Sequence, residues 1–161
     1  MTINEYNQCV DDFADGVYRF ILKNIKDEDN ARDIVQDAFA KMWEKAKDIS
    51  YAKSKSYLFT SAYHTMIDFI RKNKRMDHVE DITALSQGHE SGYSDLKEVL
   101  NEAVVQLPEI QRSVLLLRDY EGYSYKEIGE ITDLNEPQVK VYIYRARMFM
   151  KNYLVSMDKV I

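Results

Sequence analysis

Residues that break helices are scarce in this chain of 161 residues, which contains only five glycines and two prolines. An all-β fold depends on many tight turns, so this scarcity leaves little room for one. Apolar residues instead recur at intervals of three and four, the spacing that places them on one face of a helix. Hydrophobic residues make up 45% of the chain and charged residues 30%, a balance typical of globular proteins. We therefore predict an all-α fold.

Three helices are predicted in the first half of the chain. The first contains the apolar residues between Val10 and Ile21, and the second begins at a cap within Asp27–Asp29. The second helix has a broad apolar face, on which we expect Trp43 to anchor the core. The third helix follows a polar stretch and ends in a basic run at residues 71–75. Cations in a last helical turn suit the helix dipole.

The helical periodicity stops at residues 76–93, which are rich in small and polar side chains. Such a stretch indicates a linker. It separates two small helical domains, and Ser94 can cap the first helix of the second one. The predicted boundaries are residues 1–76 for the first domain, 77–93 for a flexible acidic linker and 94–161 for the second domain.

A helix-turn-helix is predicted in the second domain. Ser124 and Glu127 have the spacing of a capping box. Gly129 provides a small residue where two helices approach, and Asp133 tolerates a left-handed turn. Asn135 can cap the following helix, whose outer face could lie in a DNA major groove. From these residues alone, an ordinary helical pair with a solvated basic face remains the alternative.

The net charge of −5 at first argues against nucleic-acid binding, but the cations are clustered. One cluster is the run at 71–75, and the other comprises Lys140, Arg145, Arg147 and Lys151. Local patches decide such binding more than whole-chain charge does. Tyrosines and cations also interleave between residues 51 and 72, a pattern that can stack on unpaired bases and hold phosphates. The alternatives are that the aromatic residues only pack and that the basic run is only a solvated helix end.

The sequence offers no candidate for catalysis, a cofactor or a metal. The one cysteine, Cys9, cannot form an internal disulfide, and His64 has no partner at ligand spacing. Residues 1–10 lack the apolar core of a signal peptide, and no apolar run approaches the ~20 residues needed to span a membrane. We therefore expect a cytoplasmic protein that is not inserted into a membrane and is not an enzyme.

Three motifs in order resemble the extracytoplasmic-function (ECF) group of bacterial sigma-70 family sigma factors. Residues 29–43 resemble the polymerase-docking helix of that group, and residues 57–75 its −10 helix. Residues 107–112, 121–129 and 144–147 resemble its −35 domain. The resemblance implies a transcription initiation factor whose partners are core RNA polymerase, at the β′ clamp and β flap, and promoter DNA. It also implies an anti-sigma factor as a partner.

The resemblance assigns three surfaces. The docking surface, for polymerase, consists of Asp33, Gln36, Asp37 and Lys41. The −10 surface, for the melted −10 element, consists of Tyr51, Lys53, Lys55, Tyr63, His64, Arg71, Lys72 and Arg75. The −35 surface, for duplex DNA, consists of Glu136, Gln138, Lys140, Val141, Tyr144, Arg145 and Arg147.

Two other functions use the same residues differently. A stand-alone regulator would bind DNA through the helix-turn-helix without polymerase, and a helical adaptor would bind only proteins. The acidic residues of the docking surface could likewise serve only solubility. The resemblance also implies that the linker threads a basic polymerase channel, to which its negative charge would be attracted. The alternative is a passive acidic tether.

Overall fold

The computed structural model describes residues 1–77 and 96–160, with side chains described for residues 1–76 and 96–157. These residues form seven α-helices and no strand, as the all-α prediction requires. The helices are α1 (Ile3–Ile25), α2 (Glu28–Glu44), α3 (Ser54–Asp77), α4 (Leu96–Gln106), α5 (Glu109–Leu115), α6 (Tyr125–Thr132) and α7 (Glu136–Val160). Short 3₁₀ turns at Ala46–Asp48 and Tyr51–Lys53 join α2 to α3, and a π-helical turn at Leu116–Tyr120 continues α5.

The first domain is a bundle of α1, α2 and α3, each of which contacts the other two. Asp27 is the N-cap of α2 and accepts a hydrogen bond from the Asn30 amide at 3.1 Å, so one of the predicted cap candidates is confirmed. The core of the bundle is built from aliphatic and aromatic side chains at helical spacing, among them Val17, Phe20, Ile21, Ile34, Met42, Leu58, Ala62 and Met66.

The prediction that Trp43 anchors the core was wrong. Trp43 is 52% exposed, whereas the neighbouring Met42 is completely buried. Adjacent residues on a helix point about 100° apart, so only one of the two can face the bundle centre. The Trp43 ring instead packs edge-on against Tyr6, with ring centroids 5.0 Å apart, at the rim of an apolar groove between α1 and α2.

The helix-turn-helix of the second domain is formed by α6 and α7. Ser124 and Glu127 make both hydrogen bonds of the capping box at the start of α6. Asp133 adopts the left-handed conformation, with φ of 63°, and turns the chain toward α7. A Cβ atom on Gly129 would lie 2.6 Å from the Leu134 carbonyl oxygen, so the turn passes too close for any side chain there. These details agree with the sequence-based prediction.

The linker predicted at residues 77–93 lies outside the described residues, apart from Asp77, which ends α3. The predicted cap Ser94 lies outside them as well.

The two domains pack against each other. Helix α1 contacts α4 and α5, and α3 contacts α6. Phe59 of the first domain and Tyr123 of the second are both buried and meet edge-to-face, with ring centroids 5.1 Å apart. One hydrophobic cluster therefore runs through both domains.

Candidate nucleic-acid and polymerase interfaces

The −35 surface lies along the outer face of the first three turns of α7, and all seven of its side chains are exposed. The opposite face of the same turns is fixed by Val139, Ile143 and Ala146, which are buried against the rest of the second domain. An exposed polar and basic helix face, held by a buried apolar one, is the geometry that helix-turn-helix proteins insert into a major groove.

Two side chains of the −35 surface are already engaged within the protein. The Gln138 Oε1 atom accepts a hydrogen bond from the Asn135 amide at 3.0 Å, which completes a capping box with Asn135 at the start of α7. Arg147 donates two hydrogen bonds to the Asp119 carboxylate, and this bonding raises the pKa of the Arg147 guanidinium.

Lys140 and Arg145 are the least constrained cations of the −35 surface. The Lys140 ammonium lies 5.5 Å from the ring centroid of Tyr125, and the Arg145 guanidinium lies 6.0 Å from that of Tyr142. Both distances are near the outer limit of a cation–π contact, and both side chains are exposed. These two cations can therefore turn toward DNA with little loss inside the protein.

The −10 surface is formed by the Tyr51–Lys53 turn and the exposed side of α3. Seven of its eight side chains are exposed, and Tyr63 is the exception, since only 6% of this residue is accessible. The Tyr63 hydroxyl donates a hydrogen bond to Glu109 of α5 at 3.2 Å. Burial, reinforced by the Glu109 charge, raises the pKa of the Tyr63 hydroxyl.

Polar side chains also cross between the domains. The buried Arg112 guanidinium donates from Nε to the Asn24 side-chain oxygen at 2.8 Å. Burial lowers the pKa of Arg112, since desolvation disfavours its charged form. Nearer the surface, Arg19 donates two hydrogen bonds, at 2.8 and 2.9 Å, to the Glu121 carboxylate.

The structure divides the docking surface between two sides of α2. Asp33, Asp37 and Lys41 line a shallow groove against α3, where Lys41 and Asp37 form an ion pair at 3.0 Å. Gln36 instead lies in the apolar groove between α1 and α2 that Trp43 borders. Sequence analysis did not predict this groove. Its signal is the apolar stretch of α2, which is too broad to be buried on a single helix face.

The interdomain pairs were also missed. Nothing in the spacing of these polar residues indicates partners that lie 46, 88 and 102 residues away in the sequence. In the described part of the chain, no group of three His, Cys, Asp or Glu residues could hold a metal ion. None of the helices in that part is long and apolar enough to cross a membrane.

Each of the two domains matches the model of a known protein family. The family model for sigma-70 region 2 matches residues 9–76, and that for sigma-70 region 4 matches residues 97–150. The sigma factor SigV of Bacillus subtilis is 33% identical, over 93% of this chain and 91% of its own length. The ECF sigma factor SigM of the same organism is 31% identical, over 94% of both chains.

Solved structures show the same fold. The sigma factor RpoE from Bartonella quintana, in complex with the anti-sigma factor NepR, superposes with a TM-score of 0.79 at 24% identity. The match covers 94% of this chain and 98% of that one. CnrH, in complex with the cytosolic domain of CnrY, has a TM-score of 0.69 at 21% identity, over 94% and 88% of the two chains. The chain belongs to the sigma-70 family of RNA polymerase sigma factors, within its ECF group.

Proposed function

We propose that this chain directs core RNA polymerase to promoters by binding the polymerase through the docking surface, the melted −10 strand through the −10 surface and the −35 duplex through the −35 surface. The observation that carries the proposal is the exposed basic face of α7, positioned by a capped helix-turn-helix in a chain that also matches sigma region 2. The chain acts by binding and not as an enzyme. It works in the cytoplasm, where polymerase and promoters meet.

An anti-sigma factor is a further proposed partner. The support for this partner is that one solved relative is bound to the anti-sigma factor NepR and the other to the cytosolic domain of CnrY. The exposed Trp43 groove offers apolar area that either the polymerase or such an inhibitor could cover.

The docking assignment is tested with the double variant Asp33→Lys plus Asp37→Lys. Both residues lie on one side of α2, one helical turn apart, so the exchange reverses the charge of that side without removing a core side chain. We expect an affinity for core polymerase that is about tenfold weaker or more, measured by fluorescence titration of the labelled sigma factor.

The matched control is Asp11→Lys plus Asp15→Lys, which makes the same charge change at the same spacing on α1. Its affinity should stay close to that of the wild type, and circular dichroism should show equal helicity for all three proteins. Equal affinity of the two double variants would show that polymerase binds elsewhere. A wild-type chain that does not bind core polymerase at all would favour a stand-alone DNA-binding regulator.

A further inference from the structure

Two exposed apolar side chains lie in the middle of the −35 surface. Val141 is 45% exposed and Tyr144 is 66% exposed, and Tyr144 follows Val141 by three residues on α7. Neither side chain belongs to the hydrophobic cluster of the protein or packs against it. Among the described residues, Tyr144 has no hydrogen-bond partner and no ring partner. Packing inside the protein therefore does not account for this apolar pair, Val141 and Tyr144.

Cations flank the apolar pair. Lys140 and Arg145 are exposed beside it, and residues three and four apart are neighbours on a helix surface. A partner of this face must therefore combine negative charge with a small apolar group. The major groove of duplex DNA offers both, because phosphates border it and thymine presents its C5-methyl group there. The helix-turn-helix presents this face outward, in the geometry of major-groove binding.

One polar side chain that could read a base on the same face is already engaged. Bidentate recognition of adenine by glutamine uses both the oxygen and the nitrogen of the side-chain amide. The Gln138 Oε1 atom accepts a hydrogen bond from the Asn135 amide at 3.0 Å, so this recognition would break the capping box of α7. Discrimination between bases then depends more on the apolar pair.

We infer that Val141 and Tyr144 are specificity-determining residues that contact thymine C5-methyl groups in the −35 duplex. The inference rests on the function proposed for the −35 surface and names the base chemistry that this surface reads. Three residues of an α-helix rise by about 4.5 Å, and successive base pairs lie about 3.4 Å apart. The two side chains therefore reach neighbouring base pairs, and the preferred element contains at least one thymine whose methyl group is needed for binding.

The experiment uses the full-length chain bound to core polymerase and a library of duplexes that carry a randomised segment. The selected duplex is made again with uracil in place of each thymine in turn. Uracil pairs with adenine as thymine does and lacks only the C5-methyl group, so each exchange removes a methyl group and no hydrogen bond. At one or two positions the wild-type affinity, measured by fluorescence anisotropy, should fall about fourfold, the effect of losing one buried methyl group.

Val141→Ala and Tyr144→Ala identify the side chain that contacts each methyl group. Each variant should bind the thymine duplex more weakly than the wild type and lose the sensitivity to uracil at one position only. The comparison is a double-mutant cycle between one side chain and one methyl group. Both sites are exposed, and alanine has the higher helix propensity, so circular dichroism should show unchanged helicity.

Val155→Ala is the matched control. Val155 is 47% exposed on the same helix, against 45% for Val141, and it lies outside the −35 surface. This variant should bind the thymine and uracil duplexes as the wild type does.

The inference is overturned if uracil at every thymine position leaves the wild-type affinity unchanged. The assignment of a residue fails if its alanine variant keeps the full sensitivity to uracil at every position. It also fails if the variant weakens binding to core polymerase and not to DNA, because the residue would then contact a protein. If the chain binds core polymerase and the complex selects no sequence from the library, the proposed role of the −35 surface fails and the inference fails with it.

Discussion

At the residue scale, Lys140 and Arg145 differ from two other members of the −35 surface in their freedom to contact DNA. Gln138 is bonded to the cap of its own helix, and Arg147 is paired with Asp119. A side chain that must first break an internal hydrogen bond contributes less free energy to DNA binding. The sequence predicted which residues lie on the outer face of α7, because burial alternates regularly along the helix. It could not show that Arg147 is engaged elsewhere, because Asp119 lies 28 residues away in the sequence.

Lys140→Ala and Arg145→Ala should each weaken binding to a −35 duplex. A side chain that contacts a base edge contributes about 1–3 kcal/mol and its loss relaxes sequence preference, whereas a phosphate-contacting side chain weakens binding to all sequences and lowers the salt dependence. Fluorescence anisotropy at several salt concentrations distinguishes the two roles. Lys151→Ala, the loss of another exposed cation further along α7, is the control and should bind almost as the wild type does. Wild-type binding by both test variants would place the recognition surface elsewhere.

At the scale of the element, the turn between α6 and α7 determines how the recognition helix is presented. Its capping boxes and its left-handed residue were predictable, since each depends on neighbours within four residues. Trp43 on α2 shows the limit of such local patterns, because helical periodicity permits Met42 or Trp43 to face the core and packing decides between them. The π-helical turn at Leu116–Tyr120 has no sequence signal that we recognise.

Gly129→Ala tests the close approach in this turn. On an exposed helix this exchange would stabilise the protein by up to ~1 kcal/mol. Here the new Cβ atom would meet the Leu134 carbonyl oxygen at 2.6 Å, and relieving such an overlap costs about 1–3 kcal/mol. We therefore expect a net loss of unfolding free energy in urea titrations. Lys126→Ala, an exposed site on the same helix, should be nearly neutral. An unchanged or raised stability for Gly129→Ala would contradict this geometry.

At the scale of the whole molecule, sequence analysis could not predict how the two domains pack against each other. The interface depends on polar pairs such as Asn24–Arg112 and Arg19–Glu121, which lie 88 and 102 residues apart. Local periodicity contains no information about such pairs. The existence of two helical domains could be predicted, because each has its own amphipathic helices and the periodicity stops between them.

The acidic segment between the domains is expected to take part in initiation. Residues 78–93 could span about 55 Å if extended, which is enough to keep both domains on separate promoter elements. Replacing residues 80–92 with a Gly/Ser segment of equal length keeps this reach and removes the charge. We predict a defect in open-complex formation or early RNA synthesis, measured by permanganate footprinting and abortive transcript yield, with unchanged binding of the isolated −35 duplex. Normal initiation over a range of salt concentrations would instead indicate a passive tether.

The central claim is that this chain, with its two domains acting together, confers promoter-specific initiation on core RNA polymerase. The most direct measurement is run-off transcription with purified core polymerase on a library of genomic fragments from the native host, with and without the protein. The account predicts discrete transcripts that appear only when the protein is present, and their loss in a variant carrying both Lys140→Ala and Arg145→Ala. An identical transcript pattern with and without the protein, together with no binding to core polymerase, would contradict it.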